Sequence, residues 1–205
     1  MKPAVIIVDV QNDFCPGGAL AVSEGDAVIP VANALMRRFP ISVLTQDWHP
    51  AGHISFASTY GKRPYSLDES TTPAGVLWPD HCVAGSPGAD FHPRLQTANA
   101  KFILRKGRNP RMDSYSAFYE NDQITATGLC GCLRELAVDT VIIAGLATDY
   151  CVKTTAIHAA KLGFAVLVVE DGVRGVEASP GDVSRAFDAM RHHGCQIISE
   201  REIPE

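Results

Sequence analysis

The stretch Thr140-Val141-Ile142-Ile143-Ala144-Gly145-Leu146-Ala147-Thr148-Asp149-Tyr150-Cys151 decides the fold. Residues 140–144 are a near-continuous apolar run with no alternation, which is how a strand buried on both faces reads. Residues 151–162 then follow a helical pattern that Gly163 stops, and residues 165–169 form a second apolar run. A strand, a helix and another doubly buried strand make a parallel pair joined by a crossover.

The same alternation extends along the chain. Further strands are predicted at 4–8, 41–45, 102–105 and 196–198, and further helices at 27–38, 128–137 and 182–193. Asp26 reads as the N-cap of the first helix and Pro40 as its end, while Gly194 follows the last. The expected architecture is α/β: a three-layer αβα sandwich around a mostly parallel, roughly six-stranded, Rossmann-like sheet. Residues 46–100 and 107–127 interrupt the alternation with long irregular stretches. The first carries both tryptophans and four of the seven histidines, so it reads as an ordered loop that builds a site.

Composition bounds the function. A chain of 205 residues suits one domain. The net charge of −5 comes with no basic stripe, so neither nucleic acid nor an anionic membrane surface is an expected partner. The apolar runs are strand-sized and the first is cut short by Asp9, which argues against a signal peptide or a membrane span and makes a cytoplasmic location the expectation. The six cysteines lack both a export signal and a paired metal-knuckle spacing, so reduced thiols are expected, one of them reactive.

In a sheet of this kind ligands bind beyond the carboxyl ends of the strands. Asp9 follows the first strand, Asp47 and His49 the second, Lys106 the third, and Ala147 to Cys151 the fourth. Singly, each has an ordinary explanation as a cap, a solvated end or a packing group. Together they form a coherent set. A thiol needs ionising before it attacks, and a helix start or a nearby ammonium favours the thiolate. Cys151 is then the nucleophile, Lys106 its electrostatic support, and Asp9 the group that takes and returns a proton. A strand–turn–helix elbow also aims backbone N–H groups at a developing oxyanion. Asp47 and His49, two apart on an extended chain, point the same way and can share a metal ion, with His81 as third donor and His53 as a further one. Phe14, Trp78 and Tyr115 are aromatic residues on irregular segments that suit a flat heteroaromatic ligand. His92, His158, His192 and His193 read as surface or packing residues.

Seven motifs in order give the chain a family resemblance. They are Val8-Asp9-Val10-Gln11-Asn12-Asp13-Phe14, Thr45-Gln46-Asp47-Trp48-His49-Pro50, His53-Ile54-Ser55-Phe56, Trp78-Pro79-Asp80-His81-Cys82-Val83, Gly88-Ala89-Asp90-Phe91-His92-Pro93, Lys106-Gly107 with Asp113-Ser114-Tyr115-Ser116-Ala117-Phe118, and Gly145-Leu146-Ala147-Thr148-Asp149-Tyr150-Cys151-Val152. The chain resembles the nicotinamidase/pyrazinamidase branch of the isochorismatase-like cysteine hydrolases over almost its whole length. The resemblance implies a single isochorismatase-like domain over residues 1–205. It implies deamidation of nicotinamide to nicotinic acid and ammonia through a cysteine thioester, with pyrazinamide as a further substrate and NAD salvage as the setting. It implies a triad of Asp9, Lys106 and Cys151 and an oxyanion hole from the backbone N–H groups of Ala147 and Cys151, with a cis peptide before Ala147. It implies one divalent metal ion (Zn, Fe or Mn) on Asp47, His49 and His81; His53 matches a position that is a ligand in some members and only near the metal in others. The substrate wall would be Phe14, Trp78, Tyr115 and Ala147. Homo-oligomer assembly is left open. Ala137 departs from the family by standing where relatives often carry Gly after a helix. Other amide hydrolases of the superfamily, a non-catalytic scaffold and a metal-storage protein are the competing readings, and the complete metal motif and triad disfavour all three.

Overall fold

The computed structural model describes residues 1–68 and 75–204. Six strands form one sheet: β1 (Pro3–Val8), β2 (Ser42–Asp47), β3 (Phe102–Lys106), β4 (Thr140–Leu146), β5 (Ala165–Arg174) and β6 (Gln196–Ile198). Their order is β3-β2-β1-β4-β5-β6 and every pairing is parallel. The helices are α1 (Ile29–Arg38), α2 (Leu129–Glu135), α3 (Lys153–Lys161) and α4 (Asp182–His192).

The sandwich follows from strand periodicity. Val5 and Ile7 of β1 and Ile142, Ala144 and Leu146 of β4 point to one side, where Ile29, Ala32, Leu35 and Met36 of α1 cover them. Ala4, Ile6 and Val8 of β1 and Val141 and Ile143 of β4 point to the other, under Leu129 and Leu133 of α2, Ala156 and Ala159 of α3, and Met190 of α4. Both faces of the central strands are therefore dry, which is why they carry no polar alternation. The strand order reverses direction between β1 and β4: β1 leads to α1 on one face and β4 to α3 on the other, so the connections part there and leave a crevice beyond the strand ends.

Several details differ from the sequence reading, among them β5, which runs five residues beyond the expected 165–169, and α2, which spans Leu129–Glu135 rather than 128–137. Asp26 is not an N-cap: the chain enters α1 through a 3₁₀ turn, Gly25–Val28, and the Asp26 carboxylate instead pairs with Arg94. Pro30 sits in the first turn of α1, where its missing N–H costs nothing. Residues 148–152 form a π turn, and α3 starts only at Lys153. β4 also runs two residues further than expected, through a register shift against β5 between Ile143 and Gly145.

Gly145 shows how tight the β1–β4 seam is. Its φ is +117°, and a Cβ there would lie 2.1 Å from the Val8 carbonyl oxygen. Ala137 takes up a left-handed φ of 54° just past the end of α2, a conformation that glycine adopts more easily. Gly145→Ala should cost about 3 kcal/mol, from a backbone clash that no side chain can relieve and a strained φ. Gly131→Ala, within α2 and with nothing within 4 Å of its added Cβ, should gain about 0.5–1 kcal/mol. Ala137→Gly should gain a similar ~0.5–1 kcal/mol by relieving the left-handed residue. Urea denaturation of the three variants checks these signs.

Candidate active site

The carboxyl edge of the sheet brings the sequence-predicted residues together. Asp9 leaves β1 with a left-handed φ of 49°, which turns its carboxylate inward. Thr45 on β2 fixes it: the Thr45 hydroxyl donates to Asp9 Oδ1 at 2.5 Å and accepts the Asp9 backbone N–H at 3.1 Å. Lys106, the last residue of β3, is only 1% exposed rather than a solvated strand end. Its Nζ lies 2.8 Å from Asp9 Oδ2 and 2.5 Å from Asp47 Oδ1. It also donates to the Ser114 carbonyl at 2.9 Å and lies 3.5 Å from Cys151 Sγ. An ammonium has three protons; those of Lys106 go to Asp47 Oδ1, the Ser114 carbonyl and Cys151 Sγ, while Asp9 Oδ2 is an ion-pair contact that no hydrogen bond satisfies.

The electrostatics follow from one ammonium shared by two buried carboxylates. Burial pushes the Lys106 ammonium down, but Asp47 and Asp9 outweigh it and hold its pKa well above the ordinary value. Burial pushes Asp47 up, and Lys106 and His49 more than reverse that, so Asp47 stays ionised. Asp9 takes the remaining burden: desolvation and the Asp47 charge raise its pKa against the pull of Lys106 and Thr45. Burial also pushes the Cys151 thiol well above its ordinary value, and Lys106 does not offset this. The sequence reading of an exposed elbow cysteine is thus corrected: Lys106 does favour the thiolate, as expected, but burial outweighs it. Cys151 is 6% exposed, on the π turn, and rests as a thiol. Its activation needs a proton acceptor, and Asp9 has a carboxylate oxygen within 4.8 Å of Sγ.

Beside this group lies a donor set. Ligand atoms of Asp47, His49 and His81 fall within 4.8 Å of one another, all buried. His49 Nδ1 lies 2.9 Å from the Gly107 carbonyl, and His81 Nδ1 lies 2.8 Å from the Pro79 carbonyl. A carbonyl only accepts, so each Nδ1 carries the proton and each Nε2 keeps a free lone pair. Gly107 permits this approach, because a Cβ there would lie 2.4 Å from the His49 ring. Burial, then the His49 charge, lowers His81 to about 4 and keeps it neutral. His49 is raised, because the Asp47 carboxylate 3.6 Å from its Nε2 outweighs desolvation. The space between Asp47 and His49 Nε2 therefore favours positive charge.

His53 belongs to a different set, with His49 and Asp113. It stacks on His49 with ring centroids 4.3 Å apart. Its Nδ1 accepts from the Ser55 backbone N–H at 3.3 Å and contacts the Ser55 hydroxyl at 2.7 Å, which leaves Nε2 to donate to the Met112 carbonyl at 3.3 Å. Both ring nitrogens have protein partners in this tautomer, so His53 supports the His49 ring, and with His49 and Asp113 it forms a second group of donor atoms.

A cavity opens over Cys151. Its walls include Phe14, Trp78, Tyr115 and Ala147, all expected from the sequence, together with Asp47 and His81. The Leu146–Ala147 peptide bond is cis. Trp78 Nε1 donates to the Tyr115 hydroxyl at 3.1 Å, and Tyr150 meets both rings edge-on, 5.0 Å from Trp78 and 5.7 Å from Tyr115. Sequence reasoning missed Leu20, Tyr150 and Val176 in this wall. Tyr150 had a signal in its place beside the nucleophile; Leu20 and Val176 had none, because distant hydrogen bonds set their loops. It also missed Gln11, fully buried, whose amide accepts the Asp47 N–H at 2.8 Å and donates to the Asp47 carbonyl at 2.9 Å, holding Asp47 as a neighbouring strand would.

Lys106→Met should cost about 3–5 kcal/mol in chelator-treated protein, since it strands two buried carboxylates. The folded pKa of Asp9, already raised, rises further without the ammonium. A raised carboxyl costs nothing below its unfolded pKa, and its cost grows as pH rises to the folded one, so the deficit should shrink as pH falls from about 8 towards 5. Urea denaturation at both pH values reads this directly.

Comparison with known proteins gives the chain its family. Residues 3–202 match the isochorismatase domain family. The chain is 47% identical to a nicotinamidase of Acinetobacter baylyi, covering 98% of this chain and 94% of that one. A solved nicotinamidase/pyrazinamidase of Acinetobacter baumannii superposes with a TM-score of 0.93 at 46% identity, covering 99% of this chain and 98% of that one. A pyrazinamidase of Pyrococcus horikoshii, solved in complex with zinc, superposes with a TM-score of 0.79 at 38% identity, covering 97% and 99%. The chain belongs to the nicotinamidase/pyrazinamidase branch of the isochorismatase-domain family.

Proposed function

We propose that this protein hydrolyses nicotinamide to nicotinic acid and ammonia, with Asp9, Lys106 and Cys151 as the catalytic triad. The observation that carries the reading is a thiol in the wall of an aromatic-lined cavity that also presents metal donors, with a shared ammonium and a proton-accepting carboxyl packed behind the sulfur. The names of the similar proteins point the same way.

The residues fit a divalent ion. Asp47, His49 and His81 offer a carboxylate and two ring lone pairs that no protein hydrogen bond uses, each ring oriented by a backbone carbonyl. This donor set suits Zn, Fe or Mn. When bound, such an ion supplies a Lewis-acid anchor for a ring nitrogen and so orients the substrate. Phe14, Trp78 and Tyr115 would pack against the ring, leaving the carboxamide beside Cys151.

Asp9 takes the Cys151 proton as sulfur attacks the amide carbon, and Lys106 offsets the charge that develops on sulfur. The backbone N–H groups of Ala147 and Cys151 receive the oxyanion. Asp9 returns the proton to the amide nitrogen, the C–N bond breaks, ammonia leaves and a thioester remains. Asp9 then takes a proton from water, whose oxygen attacks the thioester carbon; the C–S bond breaks, the thiol is re-formed and nicotinic acid departs. Pyrazinamide, with a ring nitrogen in the same relation to its amide, fits the same scheme. Release of nicotinic acid would place the enzyme in NAD salvage.

The test is release of ammonia and nicotinic acid by metal-replete protein, with metal content measured in parallel. Wild type should turn over, and Cys151→Ala should lose at least about 10³-fold while keeping its metal. Asp47→Asn and His81→Ala should lose metal; His53→Ala should retain most of it. No release by metal-replete wild type would move the substrate to another small amide. Undiminished turnover by Cys151→Ala would sink the thioester scheme.

A further inference from the structure

Asp149 lies two residues before the nucleophile and is 3% exposed, yet none of its interactions serves the triad. Its Oδ1 accepts the Val176 backbone N–H and its Oδ2 the Glu177 backbone N–H, both at 2.9 Å. Among the described residues, no ammonium, guanidinium or imidazole pairs with it. A buried carboxylate satisfied by two adjacent backbone N–H groups is a directional clamp on that backbone.

The clamped tripeptide is built to be held. Gly175 runs so close that a Cβ would lie 2.2 Å from Val183 and 3.1 Å from Asp149 Oδ1. Glu177 adopts a left-handed φ of 52°. Its carboxylate accepts the Gly181 N–H at 2.5 Å and the Val183 N–H at 2.8 Å, fastening the same turn to the start of α4. Between these two fixed residues stands Val176, whose side chain forms part of the cavity wall with Tyr150 and Cys151. The turn after β5 thus has one end tied to the nucleophile's own π turn and the other to a helix.

We infer that Asp149 is a positioning residue that sets substrate selectivity: it fixes the distance between Cys151 and the Val176 wall, and so the room given to the substrate ring on that side. The chemistry uses none of its atoms. Its work is to tie the wall to the turn that carries the nucleophile. This rests on the amidase reading above, and wild-type turnover of nicotinamide, measured alongside, tells failure of that reading from failure of this one.

The test compares Asp149→Asn, Val176→Ala and the double variant on nicotinamide and on a nicotinamide bearing a ring methyl group. Asparagine keeps one acceptor and turns a donor towards a backbone N–H. The Asp149→Asn variant should raise KM for nicotinamide about tenfold, the loss of a methyl-sized contact, with kcat changed less than about threefold. It should also narrow the preference for the unsubstituted ring. Alkylation of Cys151 by iodoacetamide should keep its wild-type rate. Val176→Ala should reproduce the KM and selectivity changes, and adding Asp149→Asn to it should change KM by less than about twofold. A fall in kcat and alkylation rate at unchanged KM would overturn the proposal by making Asp149 a support of the nucleophile. Independent, multiplying effects of the two substitutions on KM would overturn it too. Should Asp149→Asn fail to fold, Val176→Ala with unaltered KM and selectivity would overturn it alone.

Discussion

The Lys106 ammonium at the end of β3 has no water to solvate it, and the site is arranged around that fact. A charge so buried is tolerable only when paired and fully hydrogen-bonded. Asp47 and Asp9 pair its charge from the ends of β2 and β1, and its hydrogen bonds go to Asp47, the Ser114 carbonyl and Cys151 Sγ. Only a parallel sheet with these strands adjacent, in the order β3-β2-β1, can deliver them to one point. β4, next to β1 across the switch in strand order, then brings Cys151 within 3.5 Å of the same nitrogen. Fold and site answer to one constraint.

Two carboxylates on one ammonium leave an excess of negative charge, and its distribution assigns the roles. Asp47 faces the ammonium and the His49 ring together and stays ionised, which suits a cation's ligand. Asp9 lacks the second partner and is raised, which suits a group that moves a proton. Asp47 is therefore the hinge between the triad and the donor set: it belongs to both, and Gln11 holds it through its backbone, leaving the carboxylate free for that work.

Much of this was readable in the sequence for a physical reason. Doubly buried strands leave unbroken apolar runs, and parallel strands put their carboxyl ends on one edge, so a list of strand-end residues is close to a list of site residues. Asp9, Asp47, Lys106 and Cys151 came from that rule. What stayed hidden depends on hydrogen bonds between distant residues. The ring nitrogens of His53 are taken up by Ser55 and by the Met112 carbonyl, 59 positions away. Val176 reaches the cavity because a carboxylate 27 positions earlier holds its N–H. Asp26 looked like a cap by local pattern, yet the 3₁₀ entry to α1 turned it towards Arg94. The resting state of Cys151 is likewise a matter of burial, which no local motif reports.

The central claim is that Cys151 forms a covalent acyl intermediate although it rests as a thiol. Mass spectrometry of acid-quenched, metal-replete wild type during turnover of nicotinamide tests it most directly. The account predicts a nicotinoyl adduct that maps to Cys151 and disappears when substrate is exhausted. Turnover at a normal rate with the quenched enzyme unmodified at Cys151, under conditions that preserve a thioester, would contradict it.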